Sequence, residues 1–166
     1  RERYFSALQA MHGAPLGSQL HIDKNPSMTL MIPCLVRLFP ELKTVVALRD
    51  PRDVITSCFL RYLPINPVSV CFLTLQRAVE RYLLDMTAWL KLRDDLSQDW
   101  IEVRYEDTVN DTERTARSVL ASLELPWEQE VLEYRSSQQR PVQSPTYESV
   151  AQPIYTSAVG RWRHYQ

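Results

Sequence analysis

The 166 residues carry 45% hydrophobic and 23% charged side chains, the balance of an ordinary soluble globular protein, which argues against a disordered, fibrous or membrane-embedded chain. A chain near this size buries roughly 70% of the surface it exposes when unfolded, so a single domain spanning residues 1–166 is expected. The formal net charge of −1 gives no bulk attraction for nucleic acid or an acidic membrane, so any anion site must come from a local basic cluster.

The 3 cysteines, Cys34, Cys58 and Cys71, are odd in number and spaced like neither metal-ligand pairs nor a disulfide framework. They read as small buried or neutral thiols, and unpaired thiols lean toward a reducing, cytoplasmic setting. No apolar run approaches the ~18 residues that would span a bilayer. The opening Arg1 to Phe5 has no signal-peptide core.

Tyr4 to Met11 places apolar side chains at helical spacing, and Gly13, Pro15 and Gly17 end that helix. Gln19 to Asp23 alternates as a short strand would. Asn25 and Pro26 supply a cap and a first-turn proline for a helix through the apolar run Met28 to Phe39, which Pro33 should kink by removing a backbone donor. The segment Lys43 to Leu48 is nearly continuous in apolar residues, as in a strand buried on both faces of a parallel sheet. Asp50 and Pro51 then cap and open a helix to about Tyr62, and Leu63 to Val70, with Pro64 and Pro67, reads as a loop. From Phe72 to Leu96 the positions Phe72, Leu75, Val79, Tyr82, Met86 and Trp89 recur at helical spacing, which predicts a long amphipathic helix.

Trp100 to Tyr105 alternates in strand fashion. Asn110, with Glu113 three residues on, resembles a capping box for the helix carrying Ala116, Val119, Leu120 and Leu123. Glu128 to Ser137 reads as a short helical stretch, and the Ser, Thr, Pro and Gln content from Arg140 onward as an extended segment lying on the domain. Strands alternating with longer helices give an α/β fold with a mainly parallel sheet and right-handed crossovers. Ligands in such sheets bind beyond the carboxyl ends of the strands, so the residues after Asp23, Leu48 and Val103 are the places to look for function.

Arg49 leaves the strand, while Ser57 and Arg61 fall four residues apart on one face of the following helix. Two guanidinium forks and a hydroxyl can clamp a phosphate dianion. Asp50 at the cap would repel an anion approaching along the helix axis, which favours a phosphate beside the helix over one at its tip. The competing reading of the same residues is a structural arginine–aspartate salt bridge.

Four motifs occur in order: Asp23-Lys24-Asn25-Pro26, Leu48-Arg49-Asp50-Pro51-Arg52-Asp53-Val54, Val103-Arg104-Tyr105-Glu106-Asp107, and Gln152-Pro153-Ile154-Tyr155-Thr156-Ser157-Ala158-Val159-Gly160-Arg161-Trp162. From about Gln19 to Tyr165 the chain resembles the sulfotransferases that use 3'-phosphoadenosine 5'-phosphosulfate (PAPS). The likeness is greatest to bacterial members often fused to tetratricopeptide repeats and to tyrosylprotein sulfotransferases. The resemblance implies a P-loop NTPase-like parallel sheet flanked by helices, and sulfuryl transfer from PAPS to a hydroxyl acceptor, without a metal. The acceptor classes are a peptide tyrosine, a carbohydrate or a small molecule. By the same resemblance Arg49, Ser57 and Arg61 hold the 3'-phosphate, and Lys24 stabilises charge on the leaving 5'-phosphate. Tyr105 contacts the nucleotide, Thr146 stands where relatives carry a catalytic serine, and Arg161 stands where they carry a donor-contacting lysine. Pro153, Ile154 and Tyr155 belong to a segment that closes over the nucleotide.

The family also places a glycine- or serine-rich phosphosulfate loop after its first strand, followed by a helix with a glutamate base. Neither is found here, where the only glycines are Gly13, Gly17 and Gly160. The expectation is therefore an N-terminally truncated domain lacking the first strand and that loop, with a tetratricopeptide region upstream in a fuller protein. The alternative is an inert nucleotide-binding or interaction fragment that keeps only the half-site for the 3'-phosphate. Other chemistries lack their parts: His12, His21 and His164 are scattered, no nucleophile elbow is present, and a kinase would need a Walker loop. Asp23, Glu102 and Glu106 read as ordinary paired or solvated carboxylates rather than bases.

Overall fold

The computed structural model describes residues 1–13, 17, 20–61, 63–97, 99–133 and 154–165. Two compact units divide the chain, Arg1–Leu42 and Lys43–Gln166.

In the first unit, helix α1 (Glu2–His12) ends at Gly13, whose φ of 68° is left-handed and whose amide donates to the Gln9 carbonyl. Glycine takes that conformation without the Cβ clash other residues meet. The rings of Tyr4 and Phe5 meet Phe39 edge-on at 5.2 and 5.8 Å. Arg1 stacks over both Phe5 and Phe39 and pairs with Glu41. The strand expected at Gln19 to Asp23 does not form in its described part. Leu20 to Asp23 is exposed coil, with Ile22 at 82% exposure, because no strand lies beside it among the described residues of this unit to take its backbone groups.

Asn25 does not cap a helix either. Its side-chain oxygen accepts from the Ser27 amide at 3.0 Å, closing a turn around Pro26. A 3-10 turn (Thr29–Met31) leads into helix α2 (Ile32–Leu38), so Pro33 falls in the first helical turn. There its missing N–H is one that no helix bond uses, and the expected kink has no cause.

The second unit is an α/β layer built on a parallel pair of strands. Strand β1 (Thr44–Leu48) runs alongside β2 (Trp100–Arg104), with Thr44 opposite Trp100 and Leu48 opposite Arg104. Between them come helix α3 (Pro51–Leu60), a 3-10 turn (Ser69–Leu73) and helix α4 (Leu75–Leu92). After β2 follow α5 (Tyr105–Asn110), α6 (Thr112–Ser122) and two 3-10 turns, Gln129–Val131 and Arg161–Tyr165. The strand expectation for β1 needs correction in one respect. Its residues alternate in burial, with Val45 at 44% exposure and Ala47 also exposed, so one side of the strand is more open than the other.

The long helix starts at Leu75 rather than Phe72, since Thr74 turns extended there and its hydroxyl accepts from the Arg77 amide. At α6 the cap is Asp111, one residue beyond the expected Asn110. Asn110 still belongs to α5, and the Asp111 carboxylate accepts from the Arg114 amide at 3.0 Å.

Among the described residues, Trp89 on α4 is at 0% exposure. It meets Trp100 of β2 edge-on at 5.4 Å and donates its indole N–H to Glu102 at 2.7 Å. Arg93 donates to the same carboxylate oxygen at 2.9 Å. These bonds hold the Glu102 carboxyl below its ordinary range, the indole bond having the largest effect. One helix face thereby grips β2.

Candidate functional site at the strand ends

Both strands run toward the same end of the sheet, and helices begin there for local reasons. Asp50 caps α3 through the Arg52 amide at 2.9 Å, and Pro51 occupies the first turn. The Asp50 carboxylate also takes Arg52 in a two-pronged ion pair at 3.0 and 2.6 Å, which lowers its pKa from the ordinary value. From the start of α5, Glu106 accepts from the Asp50 amide at 2.8 Å. That bond ties the end of β1 to the end of β2, and it gives Glu106 a structural partner.

Arg49 lies at this junction. Its guanidinium donates to the Ala158 carbonyl, comes within 3.8 Å of the Asp53 carboxylate, and stacks over the Tyr105 ring at 4.6 Å. Its Nε is buried and has no hydrogen-bond partner among the described residues. Tyr105 donates its hydroxyl to the Tyr155 carbonyl at 3.5 Å. Burial pushes the Tyr105 phenol up, with the Arg49 charge pulling against it.

Asp53 is fully buried at its side chain, yet it sits in the first turn of α3. Its two oxygens accept from the amides of Gly160 at 2.7 Å and Trp162 at 2.9 Å. Arg52 stacks on the Trp162 ring at 3.9 Å. Gly160 has a φ of 69°, and a Cβ there would lie 3.2 Å from the Arg163 guanidinium. The segment from Ile154 to Trp162 is thus fastened to the start of α3 and the end of both strands at four places: Tyr155, Ala158, Gly160 and Trp162.

Ser57 is half-buried on α3. The helix ends at Leu60, so Arg61 caps it in extended conformation, with φ −88° and ψ 140°, instead of continuing the Ser57 face. Burial pushes the Cys58 thiol on the same helix up, with the charges of Arg61 and Arg49 pulling against it.

Among the other expected residues, Tyr155 and Arg161 lie exposed in the fastened segment. Lys24 is exposed in coil of the first unit, where its neighbour Asp23 accepts from the Tyr4 hydroxyl at 3.4 Å. Thr146 and Pro153 lie outside the described residues. Asp53 carries more of the site than its sequence suggests. An acid in the first turn of a helix ordinarily serves the helix dipole, and nothing local reveals partners 107 and 109 residues away.

Residues 2–129 match the sulfotransferase family, well over half of the chain. The chain belongs to the sulfotransferase family. A protein of Aquifex aeolicus (strain VF5) described as uncharacterized is 29% identical over 146 residues, covering 87% of this chain. The chain spans 19% of that protein's length. At the strand ends the Arg49 guanidinium stacks on the Tyr105 ring, while Ser57 lies farther along α3 and Arg61 at its C-terminal end. A buried guanidinium nitrogen without a partner among the described residues fits an anion that would supply an acceptor.

Proposed function

We propose that the strand-end site binds the 3'-phosphate of PAPS and of its product, adenosine 3',5'-bisphosphate (PAP), in a sulfotransferase acting on a hydroxyl acceptor. Arg49, Ser57 and Arg61 hold the 3'-phosphate, Tyr105 and Arg161 line the nucleotide, and Tyr155 belongs to the segment that closes on it. Lys24 and Thr146 serve the transition state by donating to oxygens that gain charge. In the reaction, the acceptor oxygen bonds to sulfur as the bond from sulfur to the 5'-phosphate oxygen breaks, and the acceptor loses its proton. The observation that carries this reading is the buried Nε of Arg49, which has no hydrogen-bond partner among the described residues, at the meeting point of both strand ends.

A second reading has its own support. With glycine confined to positions 13, 17 and 160, the 166 residues contain no glycine-rich loop for the 5'-phosphosulfate, which favours nucleotide binding without turnover. Calorimetry with PAP, 5'-AMP and an Arg49→Ala variant tests what the two readings share. A charge-assisted phosphate contact contributes about 1.5–3 kcal/mol, so PAP binding should weaken by roughly 10- to 150-fold in the variant. Equal binding of PAP and 5'-AMP, or none by the folded chain, would refute the site. Release of PAP from PAPS with a phenol as acceptor then separates turnover from binding alone.

A further inference from the structure

We propose that Asp53 is a positioning residue for the nucleotide: its buried carboxylate holds the amides of Gly160 and Trp162 and thereby keeps residues 154–161 fastened beside Arg49. The proposal rests on the nucleotide-binding reading above and assigns the residue that sets up its closing segment.

A carboxylate withdrawn from water is costly unless it is paired and hydrogen-bonded. Asp53 has both kinds of partner, two amide donors and the Arg49 guanidinium 3.8 Å away. Each of its oxygens takes one amide, so the backbone is held at two points two residues apart and its direction is set. Ala158 and Tyr155, just before these points, turn their carbonyls to Arg49 and Tyr105, the two side chains proposed to meet the nucleotide. The left-handed φ of 69° at Gly160 lets the chain turn between them.

Asp53→Asn isolates this role at nearly constant volume. The amide side chain offers one oxygen and one NH2 group, and the NH2 must face a backbone N–H, donor against donor. At least one of the two bonds is lost, together with the charge beside Arg49. Trp162 supplies the signature, because its ring stacks on Arg52 at 3.9 Å and its amide is one of the two that Asp53 holds. Its emission is obtained as the difference between each protein and the same protein carrying Trp162→Phe.

The test compares the unmodified chain with Asp53→Asn, both shown to be folded by circular dichroism, by PAP calorimetry and by Trp162 emission. The expected result is a PAP dissociation constant raised about ten-fold or more in the variant, in line with the loss of a charge-assisted bond. Trp162 emission of the free variant should shift to the red, and saturating PAP should return it, while PAP barely moves it in the unmodified chain. A purely structural role would lower the melting temperature but leave PAP affinity and the PAP response of Trp162 unchanged, and that result overturns the proposal. Unmodified chain that fails to bind PAP overturns the nucleotide reading and this proposal with it. PAP bound equally by both proteins overturns this proposal alone. Should Asp53→Asn not fold, amide hydrogen exchange on the unmodified chain decides. Slow exchange at Gly160 and Trp162, with added protection across 154–161 when PAP is present, is the supporting outcome. Exchange at free-peptide rates, or no PAP-dependent protection there, is the refuting one.

Discussion

Replacing Trp89 by Phe tests how the sheet is held beneath the site. The indole is at 0% exposure, meets Trp100 at 5.4 Å and donates to Glu102 at 2.7 Å. Phenylalanine keeps part of the ring contact but removes the donor and leaves a void. A bond to a charged acceptor contributes about 1.5–3 kcal/mol, and the lost packing adds on the order of 1 kcal/mol, so the variant should lose about 3 kcal/mol near neutral pH. Glu102 sits below its ordinary pKa chiefly because of this indole. A depressed carboxyl stabilises the fold above its unfolded pKa, about 4.3, and that stabilisation fades as pH falls through the lower folded value. The difference between the two proteins should therefore be full near neutrality and shrink in acid to the packing part. Urea unfolding followed by far-ultraviolet circular dichroism across that pH range measures it. A loss of less than about 0.5 kcal/mol, well under one charge-assisted bond, or a difference that does not change with pH, would refute the reasoning.

Asp111→Ala should cost about 1 kcal/mol in the same urea assay, whereas Asn110→Ala should cost far less, because Asp111 carries the cap of α6. Burial raises the Cys58 thiol, so at neutral pH it should react with iodoacetamide more slowly than the exposed Cys34, as followed by mass spectrometry. Arg49→Lys should recover only part of the PAP affinity lost in Arg49→Ala, since an ammonium lacks the planar fork that phosphate takes in two prongs. Calorimetry on the two variants compares them.

The α/β plan was readable because its signals are local. Asp50 and Pro51 do open α3, and the apolar run into Leu48 does form a strand. Two of the misplacements come from competition among neighbours for the same backbone groups, and a third from position within a helix. Asn25 spends its side chain on a turn, Asn110 is absorbed into α5 before it can cap α6, and Pro33 falls where a helix tolerates it. A strand at Leu20 to Asp23 would need a partner strand, which alternation of side chains does not supply. At the site, the spacing of Arg49, Ser57 and Arg61 pointed to an anion clamp, but the helix ends one residue before Arg61. Asp53 could not be read from its neighbourhood, because its two amide partners arrive from the far end of the chain.

Phosphorus NMR of PAP tests the central claim most directly, because the 3'- and 5'-phosphates give separate resonances and each reports its own surroundings. Adding the chain should shift or broaden the 3' resonance first, and Arg49→Ala should weaken that response at the same protein concentration. A response confined to the 5'-phosphorus, or an unchanged 3' resonance with folded chain in excess, would contradict the account.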